Sequence, residues 1–214
     1  MLLGLSPLLI VAVGALLLML IEALSKFRDE RVESPSASLA ASSAVVLFAS
    51  ALSAIGVWLH GPENLPDLAT LAPYLLIDRF SLFFFVILTL GGALSCLLAG
   101  GYLPEHNLDR GEFYPLLLLS TVGAMALAAA ADLLTIFIGL EAMSLGVYSM
   151  VAFRRGSPRA VEAALKYFLL GSFAAALLLY GGALLYGATG HTDLAGIGSQ
   201  LANTGLRFAQ PNSE

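Results

Sequence analysis

Glu141 and Lys166 are the residues whose chemistry is most out of keeping with their surroundings. Both interrupt long apolar runs, and a charge at mid-membrane costs about 2.5–3.5 kcal/mol on insertion scales, so each calls for a partner or a purpose. Ser144 and Tyr148 follow Glu141 at i+3 and i+7, which on a helix puts them on one polar stripe with the acid. Glu162 stands four residues before Lys166, the favourable order for an ion pair along a helix. A carboxyl isolated in hydrocarbon keeps its proton, and a cation brought near it favours release, so these residue types predict proton transfer. On this reading Glu141 and Lys166 form the transfer pair, with Glu162, Ser144, Tyr148 and Asp132 in support. Blander readings stay open beside it. Glu141 as a protonated acid bonded to a neighbouring helix is one; Lys166 as a structural partner of Glu162, or snorkelling toward headgroups, is another.

The elements that must hold these residues are membrane helices. Of 214 residues 58% are hydrophobic and 12% charged, against about 25% charged in an average soluble domain. A bilayer core of about 30 Å takes roughly 20 apolar residues of helix. Six stretches qualify, at about 2–24, 38–59, 77–102, 113–131, 133–153 and 160–188, which predicts an all-α integral membrane fold. The fourth and fifth run together, and a tight turn at Asp132 is expected to divide them. The first has no Lys or Arg ahead of it and is longer than a signal peptide's apolar region of about 7–15 residues, so it reads as a retained helix. Residues 190–214 change character and read as an external interfacial tail.

Charge sorts the loops. Lys26, Arg28, Arg31, Arg110, Arg154, Arg155 and Arg159 follow the first, third and fifth spans, whereas the opposite side carries Arg79 and Arg207. That bias turns the three loops to the cytoplasm and the amino terminus outward. Pro62, Pro66 and Pro73 in the loop 60–78 suit an external connection. Measured from these span ends, Glu141 lies about 18 Å deep and Lys166 about 10 Å, an axial step of about 8 Å if the two helices are antiparallel neighbours. Glu22, Asp78, Arg79 and Asp132 fall near span ends, where a solvated or interfacial setting is expected. Small residues four apart, Gly92 with Cys96 and Gly171 with Ala175, permit close helix approach.

Several classes of chemistry drop out. A net charge of −5 with its basic residues in short clusters gives no attraction to nucleic acid. Cys96 is the single cysteine, so there is no disulfide framework and no CxxC pair. His60, His106 and His191 are all expected in loops, which leaves no embedded pair of haem ligands. Gly-Ile-Gly at 196–198 lacks the third glycine of a dinucleotide fingerprint.

The run Asp132-Leu-Leu-Thr-Ile-Phe-Ile-Gly-Leu-Glu141-Ala-Met-Ser-Leu-Gly-Val-Tyr148, continued through Ala152-Phe-Arg-Arg to Glu162-Ala-Ala-Leu-Lys166-Tyr-Phe-Leu-Leu-Gly-Ser-Phe, resembles the subunit N family of bacterial proton-pumping NADH-quinone oxidoreductase, respiratory complex I. Asp78-Arg-Phe-Ser-Leu-Phe-Phe and Gly101-Tyr-Leu fit the same family. The resemblance implies an antiporter-like subunit of about fourteen spans built from two inverted repeats, with an outward amino terminus. It implies that Glu141 and Lys166 match the family's fifth-helix glutamate and sixth-helix lysine, in a hydrated chain of ionisable groups at mid-membrane. It further implies no cofactor in this chain, with NADH, FMN, iron–sulfur clusters and quinone handled by other subunits. The implied partners are the other membrane subunits of complex I, above all neighbouring antiporter-like and small ones, in a bacterial inner membrane. At 214 residues the chain is shorter than that pattern, which sets the expectation of a fragment that does not pump alone. Two other functions stand beside this one: a subunit of a cation/proton antiporter of the same superfamily, and a structural or assembly membrane protein.

Overall fold

A computed structural model of the chain describes residues 2–28, 36–64, 71, 73–108 and 110–209. Arg31, Pro66 and the closing Pro-Asn-Ser-Glu lie outside the described residues. The fold is all-α and membrane-integral: α1 (Leu2–Arg28), α2 (Ser36–His60), α3 (Arg79–Glu105), α4 (Phe113–Ala128), α5 (Leu133–Val151), α6 (Pro158–Thr189) and α7 (Leu194–Ala209), with a 3₁₀ turn at Pro62–Asn64. Among the described residues five helices, α1, α2, α3, α5 and α6, are long and apolar enough to cross a bilayer, and α4 is a shorter apolar helix.

Hydrocarbon offers no water to an open N–H or C=O, so helices must satisfy their own backbone. Pro7 removes the N–H that Leu3 would have received, and the Ser6 hydroxyl donates to the Leu3 carbonyl instead, at 2.6 Å. Helices α1 to α4 enclose the core, where Leu47, Leu82, Phe85, Cys96, Tyr114, Leu118 and Met125 are sealed from solvent. Helix α5 packs on α4, and α6 packs on α5. Most of α6 is exposed in this chain; Leu170, Phe173 and Tyr180 stand outward, and Ala175 and Thr189 are its buried residues.

The junction between α4 and α5 differs from the expected tight turn. Helix α4 stops at Ala128, and after a turn at Ala129 residues 130–132 run between two other short segments. On one side Leu76 N–H donates to Ala129 O at 2.7 Å and Ala131 N–H to Tyr74 O at 2.9 Å. On the other, Leu133 N–H donates to Thr192 O and Leu194 N–H to Ala131 O, both at 2.9 Å. Helix ends leave backbone groups without partners. This small ladder supplies them, and it ties the starts of α5 and α7 to one another.

Burial also corrects the solvated setting expected for two acids. Asp132 is 2% exposed and caps α5, accepting from Leu134 N–H at 2.8 Å and Thr135 N–H at 3.4 Å. Glu22 is 6% exposed, its carboxylate seated against Gly111 before α4. Asp78 makes a reciprocal capping box with Ser81 at the start of α3. Arg79 does remain exposed, paired with Glu63 at 3.1 Å. In the tail, Gly190 closes α6 at φ 72°, a left-handed conformation that suits glycine. Helix α7 then starts from Asp193, whose carboxylate accepts Gly196 N–H at 2.6 Å. At the arginine-rich end, Arg155 pairs with Glu112 at 2.8 Å and Phe153 meets Phe113 edge-on at 5.6 Å, latching the α5–α6 loop to α4.

Helices α4 and α5 touch backbone to backbone. A methyl group on Gly123 would lie 2.3 Å from Met143 N, one on Gly139 2.7 Å from Leu127 N, and one on Gly146 2.9 Å from Leu116 O. The Ser120 hydroxyl adds a hydrogen bond across the same seam, to Met143 O at 2.9 Å. Gly91 and Gly101 of α3 meet nothing within 4 Å. Gly123→Leu should therefore deplete the protein from membranes in a pulse-chase measurement, while Gly91→Leu leaves its abundance unchanged.

The Gly196 N–H first, and the His191 ring second, hold the Asp193 carboxyl below the ordinary aspartate value of 3.8. A carboxylate with a depressed folded value stabilises at pH above its unfolded value, and that contribution is lost as pH falls through the folded one. Hydrogen exchange at the Gly196 amide should be slow at neutral pH and accelerate, relative to the intrinsic rate, as pH drops below about 3.8. Asp193→Asn should remove this pH dependence.

Candidate proton-transfer site

Helix α5 has two unlike faces. Gly139, Met143 and Gly146 lie against α4, and Glu141, Ser144 and Tyr148 lie on roughly the opposite side, as 100° per residue requires. Glu141 is about 12 Å along the axis from Leu133 and about 15 Å from Val151, in the middle of the helix. Its Oε1 is buried and has no hydrogen-bond partner among the described residues. Buried polar atoms are nearly always paired, so an unpaired carboxylate oxygen at mid-helix marks a site.

Tyr148 leads from that carboxyl to α6. Its hydroxyl is pressed onto Gly171, where a methyl group would come 1.7 Å from the hydroxyl oxygen. The ring meets Tyr167 edge-on at 4.8 Å and Phe168 at 5.7 Å, and the residue is 9% exposed.

Lys166 is placed differently. Its Nζ is bonded to Glu162 Oε1 at 2.5 Å, one turn earlier on the same helix, with side-chain exposures of 70% and 63%. An exposed pair at this spacing contributes only about 0.3–0.5 kcal/mol. It restrains Lys166 weakly.

Two contacts set the register of α5 on α6. Tyr148 meets Gly171, and the Leu133 side chain lies 3.8 Å from a methyl position on Gly182. Carried to Glu141, this register puts its side chain level with about Ala174 to Leu178, roughly 12–18 Å along α6 from Lys166 at 1.5 Å per residue. The step is longer than the 8 Å expected from the span ends. The structure thus brings Glu141, Ser144 and Tyr148 together on one stripe, joins Lys166 to Glu162, and separates the two groups. Asp132 stands at the far end of α5 as its cap, away from the stripe.

What sequence reading missed is the seat at Gly171 and the glycine face against α4. The signal was present as Gly139 and Gly146 spaced seven apart opposite Glu141, and as Gly171 five residues after Lys166. Toward the Leu133 end, residues of α5 and α6 line an apolar cleft of about 840 Å³, among them Leu133, Phe137, Leu178, Gly182 and Tyr186. It offers little that could orient a polar ligand. Among the described residues no group of three or more His, Cys, Asp or Glu could hold a metal.

The chain is similar to known membrane proteins. Residues 130–211, which include the whole of α5 and α6, match the family model described as NADH:quinone oxidoreductase/Mrp antiporter, transmembrane. NADH-quinone oxidoreductase subunit N 1 of Sorangium cellulosum is 63% identical over 200 residues, covering 92% of this chain and 39% of that protein. Subunit N of Trichlorobacter lovleyi is 46% identical over 129 residues, covering 60% of this chain and 26% of the relative. The chain thus spans well under half the length of the curated relatives it matches. Respiratory complex I from Thermus thermophilus with bound aureothin contains a chain that superposes with a TM-score of 0.64 at 31% identity, over 88% of this chain and 38% of that one. The archaeal membrane-bound sulfane sulfur reductase shares the fold, with a TM-score of 0.63 at 19% identity over 90% of this chain and 39% of that one. The chain accordingly belongs to the NADH-quinone oxidoreductase subunit N family of antiporter-like membrane proteins.

Proposed function

We propose that this chain is part of a proton-translocating membrane subunit of NADH-quinone oxidoreductase, and that Glu141 and Lys166 are its titrating pair. The observation that carries the reading is the buried Oε1 of Glu141 at the middle of α5, which has no hydrogen-bond partner among the described residues. Intramembrane ionisable groups are functional by default because their desolvation is costly. A cation drawn toward a buried carboxyl favours the anion, and one withdrawn favours proton uptake, so a movable lysine charge can drive a glutamate through one protonation cycle. Lys166 suits that part because the pair it makes with Glu162 is weak and exposed.

On this reading the subunit performs no electron transfer. NADH, FMN, iron–sulfur clusters and quinone are handled by other subunits, and their redox change reaches this chain as a shift of charge. The arginine-rich loops face the cytoplasm of a bacterial inner membrane, and the amino terminus faces outward. Neighbouring antiporter-like and small membrane subunits are the partners. Since the chain spans 39% of its Sorangium relative, activity is assigned to the assembled complex and not to this stretch alone.

A cation/proton antiporter subunit is the second reading, because the matching family model covers Mrp antiporters as well. The relatives named subunit N favour the first. In proteoliposomes containing the whole complex, Glu141→Gln should lower NADH-driven proton uptake several-fold with subunit composition unchanged. Wild-type pumping in that variant would remove Glu141 from the mechanism. Lys166→Met should also impair pumping; full activity would mean that Lys166 is no more than the exposed partner of Glu162. Proton movement driven by a sodium or potassium gradient, without NADH or quinone, would instead favour the antiporter.

A further inference from the structure

Resting on the assignment of Glu141 and Lys166 above, we propose that the Tyr148 hydroxyl is the way-station for protons between them, and that Gly171 is the positioning residue that holds it there.

The step from Lys166 to the level of Glu141 is too long for a direct hydrogen bond, at roughly 12–18 Å along α6. Gly171 lies five residues beyond Lys166, about 7.5 Å along the axis, so the hydroxyl seated on it divides that step near its middle. The seat is specific to the polar end of the side chain. A methyl group on Gly171 would come 1.7 Å from the hydroxyl oxygen and 2.7 Å from Cζ, but 3.3 Å from Cε1. The clash is worst at the hydroxyl, and a ring packed only for its apolar bulk has no oxygen to accommodate there. Tyr167 and Phe168 hold the ring edge-on from α6, while Gly146, on the other side of α5, lets that helix close onto Leu116 O and Ser120 of α4. The ring that carries the hydroxyl is therefore held against α6, in contrast to Lys166 and Glu162, which are largely exposed.

A phenol can donate one hydrogen bond and accept another at the same time. It can thus pass its own proton toward Glu141 while taking one from the side of Lys166, through bridging water on each flank. The balance closes without charge on the phenol. The Lys166 ammonium becomes an amine, the Glu141 carboxylate becomes an acid, and the O–H bond broken in Tyr148 is replaced by the one formed.

The test uses the intact complex in proteoliposomes, with Tyr148→Phe, Gly171→Ala, the double variant and Glu141→Gln, each measured in H₂O and D₂O. Tyr148→Phe keeps the ring and should lose NADH-driven pumping several-fold with normal assembly. Gly171→Ala should lose about as much, and the double variant should be no worse than either alone. Both single variants should show the same raised solvent isotope effect, a change that a packing defect does not produce. Wild-type pumping by Tyr148→Phe overturns the proposal, whether or not Gly171→Ala assembles. Losses that add in the double variant, or an isotope effect unchanged from wild type, overturn the role of Gly171. Glu141→Gln separates the two levels of inference: if it pumps normally the underlying assignment has failed, and if it is inactive while Tyr148→Phe is active only this relay has.

Discussion

The contact on which the rest of the site depends is the backbone seam between α4 and α5. In lipid, apolar side chains gain little by leaving one apolar surroundings for another, so helix pairs are held by close packing and interhelical hydrogen bonds. Gly123, Gly139 and Gly146 supply the closeness, and Ser120 to Met143 O supplies the bond. Met143 is two residues from Glu141. Fixing the backbone of α5 there decides which way the acid points, since the face turned to α4 cannot also carry the polar stripe. The glycines on one side of the helix and the carboxyl on the other are two aspects of one arrangement.

Magnitudes separate the charged residues into those that do structural work and those free to change. Asp132 caps a helix start from a buried position, where such an interaction is typically worth about 1 kcal/mol. The Glu162–Lys166 and Arg79–Glu63 pairs are exposed and contribute a few tenths of a kcal/mol to about one at most. Glu141 is the exception, placed mid-helix with an oxygen that nothing compensates among the described residues. A stabilising role does not account for it. The large cost and the small return together point to a group kept for what it does.

How much was legible in the sequence follows from which forces act locally. Apolar length and the arginine pattern mark out the helices, because one stretch must meet the bilayer requirement by itself. The polar stripe of Glu141, Ser144 and Tyr148 was readable because helical period alone puts those residues on one face. The end of α4 at Ala128 was not, because the ladder that ends it draws on Tyr74 and Leu76 to one side and, through Ala131 O, on Leu194 to the other, all distant in sequence. The burial of Asp132 and Glu22 was hidden for the same reason. Position near a span end suggests water, and only the neighbouring segments exclude it. Likewise the family wording could match Glu141 and Lys166 to a pair, but their separation is a property of how two helices are set against each other.

That separation has a cause in length. Helix α5 has 19 residues and α6 has 32, about 28 Å and 48 Å at 1.5 Å per residue. Leu133 is level with Gly182 and Tyr148 with Gly171, so the excess of roughly 20 Å is shared between the two ends, with roughly 15 Å of α6 preceding the level of Val151. Lys166 is eight residues into α6, within this excess, and so lies near the arginine-end terminus of α5 while Glu141 is at its middle. An exposed pairing with Glu162 is then the natural resting state of the lysine. The α5 face that carries Ser144 and Tyr148, which the glycine seam turns toward α6, spans the levels between the two.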